Sequence, residues 1–129
     1  MRIPEGRIPF VCGGYNGFDH TDVCYKYVAA SDEWVESGNM AKPRAFSGYA
    51  SSKSWGLVMS GGRGISNIYL SSIEQTRNGE TFGNLPDLVS ENYDCCVVVI
   101  DEDRIFTCGG RYLSTNTFIY SNTTNLWSR

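Results

Sequence analysis

Apolar residues along this chain fall in short runs cut by glycine and small polar residues. No window shows them recurring at the three- to four-residue spacing of a helix. Three runs, Arg7 to Cys12, Trp55 to Ser60 and Arg104 to Cys108, each stop at a glycine pair: Gly13-Gly14, Gly61-Gly62 and Gly109-Gly110. A run of that length closed by Gly-Gly reads as a buried strand followed by a turn that needs unrestricted φ. Residues 44–52 and 92–100 read as the strands before the last two runs, joined to them by Ser52-Lys53-Ser54 and Asp101-Glu102-Asp103. Further strands fall near 22–28, 68–75 and 116–121, and closing strands contain Trp34, Phe82 and Trp127. The Asn78-Gly79 pair signals a hairpin in which both central residues take positive φ. The pattern predicts an all-β chain of antiparallel meanders.

The glycine pairs are spaced by 48 residues, and the interval extends to Trp34 and Phe82, Met40 and Leu88, and Tyr49 and Val97. In the third copy the loop after the glycines is three residues shorter, after which Tyr120 to Trp127 reproduces the step from Tyr27 to Trp34. A four-stranded meander of about 48 residues has the size of one propeller blade.

The succession of Gly-Gly, Tyr, Trp seven residues on, then Met and Pro-Arg resembles the kelch repeat. It stands complete as Gly13-Gly14, Tyr27, Trp34, Met40 and Pro43-Arg44, whereas the middle copy has Gln75, Phe82 and Asn92 in place of the tyrosine, tryptophan and arginine. The resemblance implies a partial kelch-type β-propeller of antiparallel four-stranded blades: an incomplete first blade at 7–37, a second at 44–84 and a third at 92–129. In BTB–kelch substrate adaptors the first blade likewise opens at its second strand, and the segment from Gly6 to Gly14 is similar to that opening. Pro9 agrees, since proline is tolerated on a strand with an unpaired edge. A closed ring typically needs at least four blades. The expectation is therefore the opening part of a longer ring, with the remaining blades supplied by further chain or by self-association.

Composition narrows the function. The 129 residues suit one domain; 41% are apolar and 19% charged, enough for a real core. Eleven basic against fourteen acidic residues give −3, which argues against nucleic-acid binding. No apolar stretch reaches the ~18–20 residues of a membrane span. Arg2, Glu5 and Arg7 with two prolines precede any apolar run, so no secretory signal is visible. Five cysteines without a C-x-x-C pair suit reduced thiols and a cytoplasmic location. If the Asp101–Asp103 turn sets a simple register, Cys96 and Cys108 face each other. A disulfide is conceivable there, although two small buried thiols are the expectation. Asn122-Thr123-Thr124 fits a glycosylation acceptor that matters only in a secretory compartment.

Catalysis finds little material. His20 is the single histidine, in a loop with Asp19 and Asp22, and neither metal-ligand spacing nor a phosphate-cradling glycine motif accompanies it. We expect no enzyme activity and no cofactor. The candidates for binding are the residues that directly follow the glycine pairs, Tyr15, Arg63 and Arg111, which the meander sends to one mouth. Guanidinium groups there suit bidentate bonds to carboxylate or phosphate, and tyrosine gives a rigid amphipathic contact. The kelch resemblance implies that these positions touch acidic peptide degrons. Ser47 and Cys95, each fourteen residues before a glycine pair, are further candidates for the mouth, while Arg44 is placed to anchor the link between blades. Trp34, Phe82 and Trp127 read as packing between blades. The resulting expectation is a non-catalytic module for a protein or peptide partner, as part of a cullin-type ubiquitin ligase adaptor or an actin-associated protein. The alternative is a secretory-pathway propeller derived from a carbohydrate-active oxidase or epimerase.

Overall fold

The computed structural model describes residues 8–112, 115 and 117–129. The expected opening residues Gly6 and Arg7, the charges at Arg2 and Glu5, and Asn116 lie outside them. Three antiparallel sheets make up the fold. The first has three strands, β1 (Phe10–Cys12), β2 (Val23–Val28) and β3 (Glu33–Asn39). The second has four, β4 (Gly48–Ser52), β5 (Gly56–Ser60), β6 (Ile73–Thr76) and β7 (Gly83–Leu85). The third also has four, β8 (Cys95–Val99), β9 (Arg104–Gly109), β10 (Thr117–Ser121) and β11 (Leu126–Ser128). Within each sheet the strands pair with their neighbours in chain order. The one helical feature among the described residues is a single 3₁₀ turn at Ile65–Asn67.

Alternation decides how the sheets stack. Side chains on a strand leave alternate faces, so Leu57 and Met59 of β5 point one way and Val58 the other. Met59 joins Cys12, Cys24 and Met40 in a core between the first two sheets, with Leu57 and Phe82 against it. Val58 and Ile73 join Trp55, Leu88, Ile105 and Tyr120 in a second core, which Leu85, Val99 and Trp127 flank. Polar tips in these cores find partners: Trp55 Nε1 donates to the Asp101 carbonyl at 2.7 Å, and Trp127 Nε1 to the Pro86 carbonyl at 2.8 Å. The first bond runs from the second sheet to the third, and the other runs back from β11 to the segment after β7.

The first two glycine pairs perform the same task, and the third shares their backbone conformation. All six residues have positive φ, between 61° and 106°. Gly14 N donates to the Arg44 carbonyl at 2.8 Å, and Gly62 N donates to the Asn92 carbonyl at 2.8 Å. A side chain on Gly13 or Gly61 would run into those same carbonyls. Glycine is required here for close approach as well as for φ.

Arg44 locks the junction. It is fully buried, donating through Nη1 to the Gly61 and Ser72 carbonyls at 2.9 and 3.0 Å and through Nη2 to Glu74 Oε2 at 2.6 Å. Glu74 in turn accepts from the Ala41 and Lys42 amides at 2.6 and 3.3 Å, tying the linker before β4 to the second sheet. Asn92 makes the corresponding bond in the third sheet, from Nδ2 to the Gly109 carbonyl at 2.9 Å.

Four expectations are corrected. The strands before the glycine-ended runs begin at Gly48 and Cys95 rather than at 44 and 92. Phe46 and Asp94 sit at φ 55°, in the left-handed region that no strand contains. At Asn78-Gly79 only Gly79 has positive φ; Asn78 uses its side-chain oxygen to accept from the Glu80 and Thr81 amides, both at 2.9 Å, in a longer turn. Trp34 does not pack between sheets: it is half exposed and leans on Tyr27, ring centroids 5.5 Å apart. Lastly, the cysteines are not all reduced. Cys12 and Cys24, directly opposed on β1 and β2, form a disulfide, whereas Cys95, Cys96 and Cys108 are free thiols. Cys96 and Cys108 do face each other, but Cys96 is exposed and Cys108 half-buried, so they are not the two buried thiols expected.

The Asp101–Asp103 turn carries a pH signature. Asp103 accepts from Thr123 Oγ1 at 2.7 Å, Thr123 N at 2.8 Å and Ser121 Oγ at 2.8 Å, and these bonds hold its carboxyl below the usual carboxylate range. A depressed folded-state value means the stabilisation is present above the unfolded value and is lost as pH falls through the folded one. The thermal midpoint of Asp103→Asn should lie below that of the parent at pH 7. The gap should close well below about pH 4, where the unfolded carboxyl protonates.

Candidate functional site

The residue after each glycine pair is held through its backbone. Arg63 N donates to the Ala45 carbonyl at 2.7 Å, and Arg111 N donates to the Tyr93 carbonyl at 3.2 Å. Tyr15 bridges to His20 across its own loop, as Arg63 does to Tyr69.

Arg63 is the best-positioned of the candidates. Its guanidinium lies over the Tyr93 ring at 4.3 Å, with Phe46 at 5.3 Å and Tyr69 at 5.6 Å. Hydrogen bonding with Tyr93 keeps it protonated, moving its already high pKa further up. Stacking of this kind removes rotamer freedom from a long side chain. Tyr69 and Tyr93 are themselves stacked, 5.0 Å between centroids, and Tyr112 meets both edge-on. The hydroxyl of Tyr112 is held in its protonated form by its bond to Tyr69. Tyr93 thus touches both arginine positions, its ring beneath Arg63 and its carbonyl on the Arg111 amide.

Arg111 and Tyr15 are exposed, Tyr15 by 61%. Beside Tyr15, Asn16 Oδ1 accepts from the Phe18 and Asp19 amides, both at 2.9 Å, and this tight turn leaves Phe18 94% exposed. A cavity of about 420 Å³ lies between this loop and Phe46, Ser66 and Asn67, with His20 and Asp19 in its wall. His20 meets the Tyr15 ring at a tilt, ring centroids 5.6 Å apart, and its Nδ1 stands 3.4 Å from the Asp19 carboxylate. The rim therefore combines exposed aromatic surface with two cations. A second depression, about 550 Å³ and lined by Asp87, Glu91, Leu88 and Val89, flanks Tyr112 on its other side. Its lining carries the carboxylates of Asp87 and Glu91.

Ser47 and Cys95 reach the inner strand starts but spend their polar atoms internally. Ser47 Oγ donates to the Gly61 carbonyl at 3.0 Å, and the buried Cys95 thiol contacts the Ser60 carbonyl at 3.7 Å. Burial pushes the Cys95 thiol up. Neither is as available to a partner as Arg63 or Arg111. Sequence reasoning missed Phe46, Tyr69, Tyr93 and Tyr112, which come from four loops and share no spacing. The adjacency of Tyr112 to Arg111 was the one signal available.

Among the described residues no helix is long and apolar enough to cross a membrane. No group of three or more His, Cys, Asp or Glu side chains among them is placed to hold a metal ion. Neither a protein-family model nor a curated protein matches the chain.

Proposed function

We propose that this chain is part of a kelch-type propeller and acts as a non-catalytic interaction module, holding an acidic peptide or protein segment on the rim that carries Tyr15, Arg63 and Arg111. The observation that carries this reading is the fixing of Arg63 on Tyr93, Phe46 and Tyr69 beside Arg111. A guanidinium already ordered by aromatic faces loses little entropy when a carboxylate arrives. The kelch resemblance is supported by the equivalent bonds of Gly14 to Arg44 and of Gly62 to Asn92. Through that resemblance the module belongs with substrate-recognition parts of ubiquitin ligase adaptors or with actin-associated proteins.

A screen of Asp- and Glu-rich peptides by fluorescence polarisation tests this. Bonds to charged groups contribute about 1.5–3 kcal/mol each. Arg63→Ala together with Arg111→Ala should therefore weaken a selected peptide by about a hundredfold or more while the circular dichroism spectrum stays unchanged. Undiminished binding by the folded double variant removes the site.

One observation favours the second reading, a protein of the secretory pathway. The Cys12–Cys24 disulfide belongs in an oxidising compartment, and Asn122 of the Asn-Thr-Thr acceptor lies exposed in the turn between β10 and β11. Purification from the native source followed by thiol counting separates the two: five free thiols support the cytoplasm, three or fewer the secretory route.

A further inference from the structure

We propose that Cys96 and Cys108 form a second cross-strand disulfide, made by exchange with a low-molecular-weight disulfide of the glutathione class. This is independent of what the rim binds.

Cys12, Ser60 and Cys108 in turn occupy the position before each glycine pair. On β2 the residue opposite Cys12 is Cys24, and the two are bonded; opposite Ser60 on β6 stands Ile73, and opposite Cys108 on β10 stands Thr117. Cys108 thus lacks a sulfur partner on the strand that serves Cys12. Its other neighbour, β8, supplies one: Cys96 is its direct Cα partner.

Geometry permits the bond. Ile100 N donates to the Arg104 carbonyl at 3.0 Å. Alternation along the ladder then makes 98 with 106, and 96 with 108, hydrogen-bonded pairs, whose Cα atoms stand about 5.5 Å apart. A disulfide accepts Cα separations of about 4.4–6.8 Å. Directly opposed residues project from one face of the sheet, so both sulfurs lie on the same side. Burial raises the Cys108 thiol, and Cys96 raises it further by charge and by hydrogen bonding, as expected of sulfurs within reach of each other. Cys95, although adjacent in sequence, leaves the opposite face, where it is buried on the Ser60 carbonyl.

The exchange balances without further reagents. Exposed Cys96, as its thiolate, attacks one sulfur of glutathione disulfide. That S–S bond breaks, and one glutathione leaves as a thiolate that takes up the proton Cys96 released. Cys108 then loses its proton and attacks the Cys96 sulfur of the mixed disulfide, expelling the second glutathione, which is protonated in turn. Two protein thiols are oxidised by two electrons, and one glutathione disulfide is reduced to two thiols.

The test is disulfide mapping of the whole chain after equilibration with reduced and oxidised glutathione, acid quenching and alkylation under denaturing conditions. The expected result is a single alkylated cysteine, Cys95, with Cys96 and Cys108 recovered in one linked peptide pair. The link should persist in Cys95→Ser and vanish in Cys96→Ser. Alkylation of both Cys96 and Cys108 in the parent overturns the proposal, and so does a link to Cys108 that survives Cys96→Ser.

Discussion

Replacing Arg44 with methionine is expected to lower the unfolding free energy by about 3–5 kcal/mol, the range for removing one partner of a buried ion pair. The side chain is fully buried and Glu74 is 1% exposed, so the carboxylate left behind would keep only the Ala41 and Lys42 amides. The third sheet indicates how to rescue the loss. Met59 pairs with Glu74 across β5 and β6, and Thr107, at the place of Met59, pairs with Phe118 across β9 and β10. Where the second sheet holds Arg44 and Glu74, the third therefore holds Asn92 and Phe118. Asn92 keeps the bond to the following glycine carbonyl, and Phe118 is buried without any charge to satisfy. Arg44→Asn combined with Glu74→Phe should recover at least half of what Arg44→Met loses, measured as urea midpoints at constant slope. A double variant as unstable as the single would show that the pair does more than fill one structural position.

What could be read from the sequence divides along the same line. The glycine pairs and the runs before them announced strand ends correctly, because a residue that must adopt positive φ against a neighbouring backbone leaves no alternative to glycine. Arg44 was legible as an anchor from its place in the Pro43-Arg44 element that closes the first repeat. The Cys12–Cys24 disulfide was missed for a geometric reason. Mirror reasoning about Glu102 pairs Cys96 with Cys108, and the same reasoning about Phe18 pairs Cys12 with Cys24. The second turn is a long loop, however, and register across a long loop is not fixed by its length. The aromatic support under Arg63 was invisible because Phe46, Tyr69 and Tyr93 converge only after the sheets have stacked. The late start of β4 and β8 turned on Phe46 and Asp94, neither of which advertises a left-handed backbone.

Alanine in place of glycine at the three junctions should separate conformational strain from docking. Gly13, Gly61 and Gly109 share φ values of 71°, 61° and 70°, so each substitution incurs the same left-handed penalty of about 1–2 kcal/mol. Their surroundings differ. A Cβ on Gly61 would collide with the Asn92 carbonyl, which accepts the Gly62 amide at 2.8 Å, and one on Gly13 would collide with the Arg44 carbonyl and approach Met40 Cε at 2.9 Å. A Cβ on Gly109 meets nothing within 4 Å. Gly61→Ala should therefore lose the inter-sheet bond as well, for a total of about 3 kcal/mol or more. Gly13→Ala should follow closely, and Gly109→Ala should stop at the backbone penalty alone. Chemical denaturation of the three variants reads this order directly. Equal losses at Gly61 and Gly109 would mean that the close approach of Asn92 contributes nothing, and that the sheets are held together by their apolar cores without the backbone bonds at the glycine pairs.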